Sequence, residues 1–510
     1  MAGALWIDEE TAGSGIMARI AAELELPRCG GNIRPEAGDA VLIFRRPLRE
    51  RTAAERGYAP GVWLMDGRPG LVPDDIEQMR LAGVRFDPAV AGEAVAACGS
   101  DRQAGDAGGV RLFEVPVFHL QPLAVRRVGP GSGLLPADWE GPHPLRRRLE
   151  AAAVKALYAA GRDFGTVRLA ASDDGAVRIA GPFGEPSERD LPLWAEAIRT
   201  FRAALAEEAE TGRRPELLIG ADPEFLLVGP DGRIVSASRY FPRDGAAGSD
   251  ALRVRGRLRC PVAELRPDPA PDPAGLMRGI RGLMRRAEAM TAAADRPLRW
   301  LAGGMPVPGF ALGGHLHLNV PPSARLLRVL DSCVALPLAA AEDARALRRR
   351  PRYGALGDFR AKHYGFEYRT PPSWLVSPLA AQAAFAAALL AARHTAELAA
   401  LTGLPSEAES GRRAYYEGDR DALRAIARRV HDAMRRVPGY ALYRRWIAPF
   451  FAALDRGAAW SEDTDIRPKW GLPVRDVSAG GTGGSGLGIS ATTQAGPHAA
   501  DSPAVRVRFD

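Results

Sequence analysis

Cysteine is scarce in the sequence, with four residues in a chain of 510. Cys29, Cys98, Cys260 and Cys333 lie far apart, and no two of them have the CxxC spacing of a zinc or redox motif. Scattered cysteines are typical of proteins that keep their thiols reduced. The pattern therefore predicts a cytoplasmic protein without a disulfide framework.

Long apolar runs are missing too. The best stretch, residues 378–392, is short and mostly alanine, and Arg393 and His394 follow it. It predicts a buried helix and not a membrane span. The first ten residues are acidic, without a basic segment followed by an apolar one, so we expect no signal peptide. Both absences favour a cytoplasmic protein with no membrane partner.

Lysine is the third scarce residue, present only as Lys155, Lys362 and Lys469, so nearly every basic residue is arginine. The net charge of +7 is modest for the length, and 46% hydrophobic residues are ordinary for a globular protein. Arginine clusters at 146–148 and 348–350 are interpreted as solvated helix faces, and no nucleic-acid motif accompanies them. We expect no nucleic-acid partner, whereas anionic small molecules such as nucleotides suit the charge. Nothing in the composition selects an oligomeric state.

The chain is long enough for two or three domains. Residues 1–110 alternate short apolar runs with helical stretches, which predicts an α/β region. Residues 111–200 are interpreted as a smaller α/β region, and residues 215–475 as a domain that ends in helices. Residues 476–510 are rich in glycine, serine and alanine, which predicts a low-complexity disordered tail.

Four short segments of the 215–475 domain alternate like β-strands. Residues two apart on a strand share a face, and each segment is apolar on one face and polar on the other. The polar residues are Asp222 and Glu224, then Glu264 and Arg266, then His315, His317 and Asn319, and last Glu367 and Arg369. If these strands are neighbours, their carboxylates crowd together, which costs free energy unless cations lie among them. The pattern therefore favours a site for divalent ions and phosphate.

The segment before the last strand, YGALGDFRAKHYG, adds two cations spaced two residues apart. They are Arg360 and Lys362. A lysine retained in a chain that otherwise uses arginine fits a compact point charge near phosphate.

Two other interpretations stay open. The pair His315 and His317 is compatible with the zinc of a hydrolase, although no HExxH motif is present and the excess of carboxylates favours a harder ion. The second is a catalytically inactive sheet domain that binds peptides or nucleotides. The crowded carboxylates favour an enzyme, because a binding scaffold has no need of them.

The order of the motifs DPEF, ELRP, GGHLH and YG-GDFR-K-YG-EYRTPPSW resembles that of the phage-like carboxylate–amine ligases, or amidoligases. These belong to the superfamily of glutamine synthetase and glutamate–cysteine ligase, and the resemblance covers about residues 215–380. It implies an α+β fold in which a curved antiparallel sheet carries helices on one face, as in the catalytic domain of glutamine synthetase. It also implies ATP and Mg²⁺ (with Mn²⁺ as an alternative) on the concave face. The implied reaction joins a small-molecule or peptide carboxylate to an amine through an acyl phosphate.

The resemblance implies a role for each polar residue. The implied metal ligands are Asp222, Glu224, Glu264, His315 and Glu367. The implied cofactor-binding residues are Arg266, His317 and Arg369. The residues implied to neutralise the transferring phosphoryl group are Arg360, Lys362 and Arg369.

A second resemblance concerns the region before this domain. The segment LYAAGRDFGTVRLAASDDGAVRIAGPFGEP is similar to the closing strands of an ATP-grasp domain. Gly181, Pro182 and Phe183 stand near the place of the acidic and asparagine metal ligands of such domains. The resemblance therefore implies a degenerate, purely structural ATP-grasp-like region.

Overall fold

The computed structural model describes residues 3–12, 15–30, 34–44, 58–59, 61–87, 110–128, 143–210, 216–254, 257–292 and 294–474. Within these residues the chain forms three β-sheets and the helices that pack around them. The predicted tail, residues 476–510, lies outside the described residues.

The strands are labelled in chain order. They are β1 (Leu5–Asp8), β2 (Arg28–Cys29), β3 (Ala40–Ile43), β4 (Trp63–Asp66), β5 (Arg111–Phe118), β6 (Gln121–Pro122), β7 (Arg126–Val128), β8 (Phe164–Ala171), β9 (Val177–Ile179), β10 (Ile219–Val228), β11 (Ile234–Val235), β12 (Ala247–Val254), β13 (Arg257–Leu265), β14 (Arg299–Leu301), β15 (Gly314–Leu318), β16 (Phe359–Lys362) and β17 (Gly365–Tyr368).

The α-helices are named by their bounds. They are Glu9–Ala12, Gly15–Glu23, Pro73–Leu81, Pro144–Ala159, Leu191–Glu210, Pro273–Thr291, Ala324–Leu330, Leu336–Ala339, Pro378–Arg393, Thr395–Thr402, Glu409–Glu417, Arg420–Met434 and Tyr440–Asp455. A π-helical turn, Asp331–Ala335, joins two of them.

The first sheet is parallel and has the order β2-β1-β3-β4. Its apolar residues Leu5 and Ile7 share a core with Trp194 and Ile198 of the helix Leu191–Glu210. Parallel strands covered by helices are the arrangement expected of an α/β region.

The second sheet is antiparallel, with the order β6-β5-β8-β9 and with β7 paired to β5. The helix Pro144–Ala159 packs on it, and its Leu149 lies in one core with Val115 and Val167. The expected relation of this region to ATP-grasp domains stays a prediction.

The third sheet has eight strands, and every pairing in it is antiparallel. Its main path is β12-β13-β10-β15-β17-β16, and β11 and β14 pair with the end of β10. A mixed fold with a curled antiparallel sheet and helices is thus confirmed.

The two faces of β10 have different surroundings. Phe225 and Leu227 lie in the main hydrophobic core with the helices. On the other face, Leu226 packs against Phe310 and Leu312 of the segment that follows β14. The face that carries Asp222 is therefore polar in its middle and closed at one end by an apolar segment.

Within the described residues, no single helix has both the length and the apolar character to cross a membrane. The helices Pro378–Arg393 and Thr395–Thr402 pass that test only as a pair, and they meet at a bend of 103°. The prediction of a buried helix from residue 378 is confirmed, because most residues of Pro378–Arg393 are buried.

Candidate active site

The four strands with the polar pattern are neighbours in the third sheet, in the order β13-β10-β15-β17. Their register places Glu224 opposite Glu264 and Asp222 opposite His315. It also places His317 opposite Glu367. Side chains directly opposite each other on antiparallel strands have Cβ atoms about 5 Å apart. The condition on which the predicted site depends is therefore met.

Two glycines before the histidines allow β15 to reach this position. A Cβ atom on Gly313 would lie 2.1 Å from Nε2 of His315, and one on Gly314 would lie 2.3 Å from the carbonyl oxygen of Pro372. The carbonyl of Gly314 also accepts a hydrogen bond of 2.8 Å from the indole of Trp374. The GGHLH motif therefore needs glycine for close approach, which is the usual reason for glycine at a strand end.

Asp222 contacts both imidazoles of the motif. Its Oδ1 lies 3.1 Å from Nδ1 of His315 and 3.1 Å from Nε2 of His317. Burial alone would raise the pKa of Asp222, but the contacts with His315 and His317 outweigh it and hold the pKa below its usual value. Burial alone would lower the pKa of His315, and the contact with Asp222 raises it instead. Asp222 and His315 therefore stabilise each other in their charged forms.

Glu367 lies at the centre of a cationic group. It is 1% exposed, and its carboxylate oxygens lie 3.1 Å from Arg360, 2.9 Å from Lys362 and 3.1 Å from Arg369. Burial and the charge of Asp222 raise its pKa, but Lys362 and the other nearby cations outweigh them and lower it. The three residues predicted to neutralise a phosphoryl group are thus together.

Glu264 and Glu224 lie on the other side of Asp222. Glu264 forms an ion pair with Arg266, while burial and the charge of Asp222 raise the pKa of Glu264 to about 8. Glu224 accepts a hydrogen bond of 2.7 Å from the backbone of Gly313, and burial raises its pKa. The guanidinium of Arg266, predicted to bind a cofactor, also donates to the carbonyls of Arg243 and Gly245.

One group of side chains has the geometry of a metal site. Ligand atoms of Asp222, His317 and Glu367 all lie within 4.8 Å of one another. Nε2 of His317 is buried, and it faces Oδ1 of Asp222 at 3.1 Å. The predicted ligand His315 borders this group, with its Nδ1 3.6 Å from Glu367. Glu224 and Glu264 lie outside it, and His317, predicted to bind a cofactor, lies in it.

The chain's own cations offset much of the carboxylate crowding. Arg266 pairs with Glu264, and Lys362 is one of three cations around Glu367. The sequence pattern predicted that metal ions and phosphate-binding arginines would satisfy these charges. The structure shows that ion pairs within the sheet already satisfy part of them.

Sequence reasoning missed three residues that shape the site. Tyr364, in the turn between β16 and β17, places its hydroxyl against Nδ1 of His317. Gly220 lies opposite His317. Glu462 accepts a hydrogen bond of 2.8 Å from the backbone of Met305. Tyr364 lies inside the motif YG-GDFR-K-YG-EYRTPPSW, so the sequence could have indicated it. No local pattern distinguishes Gly220 or Glu462.

Part of the chain matches a known protein family. Residues 219–472 match the model of the family described as phage phiEco32-like COOH.NH2 ligase-type 2. No curated protein matches the chain. The matched residues contain β10, β13, β15 and β17, and therefore every residue of the site described above. Over residues 219–472 the chain belongs to the phage phiEco32-like COOH.NH2 ligase-type 2 family, a family of carboxylate–amine ligases.

Proposed function

We propose that the protein is an ATP-dependent carboxylate–amine ligase that activates its acid as an acyl phosphate. The observation that carries the proposal is the cluster on the polar face. Ligand atoms of Asp222, His317 and Glu367 lie within 4.8 Å of one another. Arg360 and Lys362 lie beside them on the carboxylate of Glu367.

The donor atoms fit a divalent cation. Two carboxylates and one imidazole converge, and the buried Nε2 of His317 faces the same region as Oδ1 of Asp222, 3.1 Å away. A set dominated by carboxylate oxygen suits Mg²⁺ or Mn²⁺ better than zinc. Such a cation, held by Asp222, His317 and Glu367, would offset the charge of phosphate oxygens.

The cations around Glu367 supply the second requirement. Arg360, Lys362 and Arg369 share one carboxylate, so this group keeps an excess of positive charge. An excess of positive charge beside a metal site suits a transferring phosphoryl group, whose catalysis is mainly positioning and charge stabilisation.

The reaction then has two balanced steps. A carboxylate oxygen of the acid bonds to the γ-phosphorus of ATP, and the bond to ADP breaks. The amine nitrogen next bonds to the acyl carbon of the acyl phosphate, phosphate leaves, and the nitrogen loses a proton. The expected relation to glutamine synthetase belongs to this proposal, and the curled antiparallel sheet supports it.

The test is calorimetric titration of the full chain with Mg²⁺-ATP. We expect micromolar binding that needs the metal, and a loss of about tenfold or more in affinity for Asp222→Asn. Asp231→Asn is the matched control, because Asp231 lies in the exposed turn after β10 and should bind like the wild type.

Absence of binding by the wild-type protein at millimolar nucleotide contradicts the proposal. Hydrolysis that proceeds without nucleotide would support the metal-dependent hydrolase instead. Binding that survives Asp222→Asn unchanged would support a nucleotide-binding scaffold.

A further inference from the structure

A cavity of about 350 Å³ opens at one end of the polar face. It lies between the start of β10, the segment after β13 and the turn between β16 and β17. Asp222 and His317, which belong to the metal cluster, line one end of it. We call the rest of the cavity its outer part, and Leu218, Pro267, Pro269 and Tyr364 are among the residues that line it. The cavity has the size of a small-molecule site.

Glycine at position 220 keeps a side chain out of one wall of the cavity. Gly220 and Asp222 share a face of β10, and Gly220 lies directly opposite His317. A Cβ atom on Gly220 would lie 3.3 Å from Cβ of His317, which is tighter than ordinary contact. The space next to Asp222 therefore stays open.

The polar residues that line the outer part of the cavity already have partners within the chain. Oδ1 of Asn319 accepts a hydrogen bond of 2.7 Å from the backbone of Leu218, and its Nδ2 donates to Glu216. The guanidinium of Arg266 is engaged by Glu264 and by two backbone carbonyls. A charged group would lose water there and would compete with these existing contacts, whereas an apolar group would gain from burial.

We propose that this cavity, the side-chain pocket, receives the apolar side chain of the carboxylate substrate. The acid is then an amino acid with an uncharged apolar side chain, either free or at the carboxyl end of a peptide. This inference rests on the proposed ligase function. It predicts that apolar amino acids are preferred to acidic ones as the carboxylate substrate.

The place of the side-chain pocket favours the acid over the nucleotide. Asp222 and His317 belong both to the pocket and to the metal cluster, so the occupant lies beside the reacting atoms. A side chain lies a few bonds from its own carboxylate. A nucleotide base is separated from its γ-phosphate by a sugar and two further phosphates.

The test uses the full chain with Mg²⁺-ATP and hydroxylamine as the amine, so that an activated acid appears as a hydroxamate. Leucine and glycyl-leucine are compared with aspartate and glycyl-aspartate, which are similar in size and differ in charge. We expect kcat/KM to be about tenfold or more higher for the leucine pair. Comparison of leucine with glycyl-leucine shows whether the side chain belongs to a free amino acid or to the carboxyl end of a peptide.

Leu218→Lys places an ammonium group in the outer part of the side-chain pocket. We expect it to shift the preference toward the aspartate pair and to leave KM for ATP within about twofold of the wild type. Leu442→Lys is the matched control, because Leu442 is 67% exposed on the helix Tyr440–Asp455 and should keep the leucine preference.

Equal or better use of the aspartate pair by the wild type overturns the assignment. So does a Leu218→Lys variant that raises KM for ATP and keeps its acid preference, since the nucleotide would then occupy the pocket. Normal Mg²⁺-ATP binding with no hydroxamate from either leucine compound overturns the pocket assignment alone. Loss of Mg²⁺-ATP binding by the wild type overturns the ligase function itself.

Discussion

Glu367 and its three cations illustrate how one buried carboxylate can position several cations. Arg360, Lys362 and Arg369 would repel one another without the carboxylate between them. Glu367 holds them on one spot of the sheet, so their positions are set before a ligand arrives. Preorganised charge of this kind is the form of electrostatic stabilisation that contributes most to catalysis.

His119 is a half-buried residue whose ring lies among aromatic side chains. Its ring lies 4.7 Å from that of Phe201 and 5.2 Å from that of Trp63 between centroids. Burial and the charge of Arg328 lower its pKa from 6.5 to about 3. Between these values the unfolded chain holds a proton that the folded chain does not, so stability falls as the pH decreases. The stabilising effect is complete above pH 6.5.

We therefore predict that His119→Phe makes the protein less sensitive to acid. Between pH 7.5 and pH 5, the wild type should lose about 2 kcal/mol of unfolding free energy that the variant keeps. Urea denaturation at both pH values measures it, and the cost of the substitution itself cancels in the comparison. The control His363→Phe changes an exposed ring and should follow the wild type. Equal pH dependence for His119→Phe and the wild type would show that folding does not lower the pKa of His119.

At the level of elements, the segment between β14 and β15 connects Glu224 of the site to Glu462. Gly304 and Met305, near its start, donate backbone hydrogen bonds to Glu462. Gly313, at its end, donates to the carboxylate of Glu224. Burial raises the pKa of Glu462 to about 7. A single carboxylate from beyond the last long helix therefore anchors the segment that holds Glu224.

Replacement of this anchor should weaken both stability and the site. In Glu462→Ala, the buried N–H of Gly304 and the partly buried N–H of Met305 lose their acceptor, at a cost of about 1–3 kcal/mol for a fully buried group. We expect a lower melting temperature together with weaker Mg²⁺-ATP binding. Asp463→Ala is the control, since Asp463 is 56% exposed and pairs with Arg345 at the surface. A variant at 462 as stable as the wild type would show that the segment is held by other contacts.

The elements also show what the sequence could predict. The alternation of Asp222 and Glu224 with Phe225 and Leu227 predicted the two faces of β10, because period two is a local property. The contact of Lys362 with Glu367 depends on the register of β16 against β17, which the sequence pattern did not state. Glu462 acts across more than 150 residues of sequence, and nothing near it signals the contact.

On the scale of the whole molecule, the N-terminal part packs against the back of the site. Arg328, in the helix Ala324–Leu330, lies 3.0 Å from Asp163 and 2.7 Å from Glu407. Tyr158 and Tyr368 both donate to the carboxylate of Asp331, at 2.8 and 2.6 Å. Tyr368 lies between Glu367 and Arg369 in sequence, so this contact connects the N-terminal part to the strand of the site.

The buried ion pair between these parts should matter for stability. Arg328→Met leaves Asp163 buried without its partner, which typically costs about 3–5 kcal/mol. Arg413→Met removes an ion pair with Glu409 in which both side chains are about half exposed, and it should cost less than about 1 kcal/mol. Thermal unfolding of both variants measures the difference. A similar small shift for both would show that the ion pair contributes little and that other contacts join the two parts.

The position of a residue on β10 should also determine whether its substitution affects folding or activity. Along ten residues it carries the opening of the side-chain pocket, the acidic residues and part of the main core. Substitutions at Phe225 or Leu227 should remove the folded protein from the cell, whereas conservative substitutions at Asp222 or Glu224 should leave its abundance intact and abolish its activity. Loss of activity and loss of abundance should therefore alternate from Asp222 to Phe225. Beyond Phe225 the alternation should stop, because Leu226 and Val228 are buried as well, so natural variants that change the chemistry of the enzyme without unfolding it should fall in the first half of the strand.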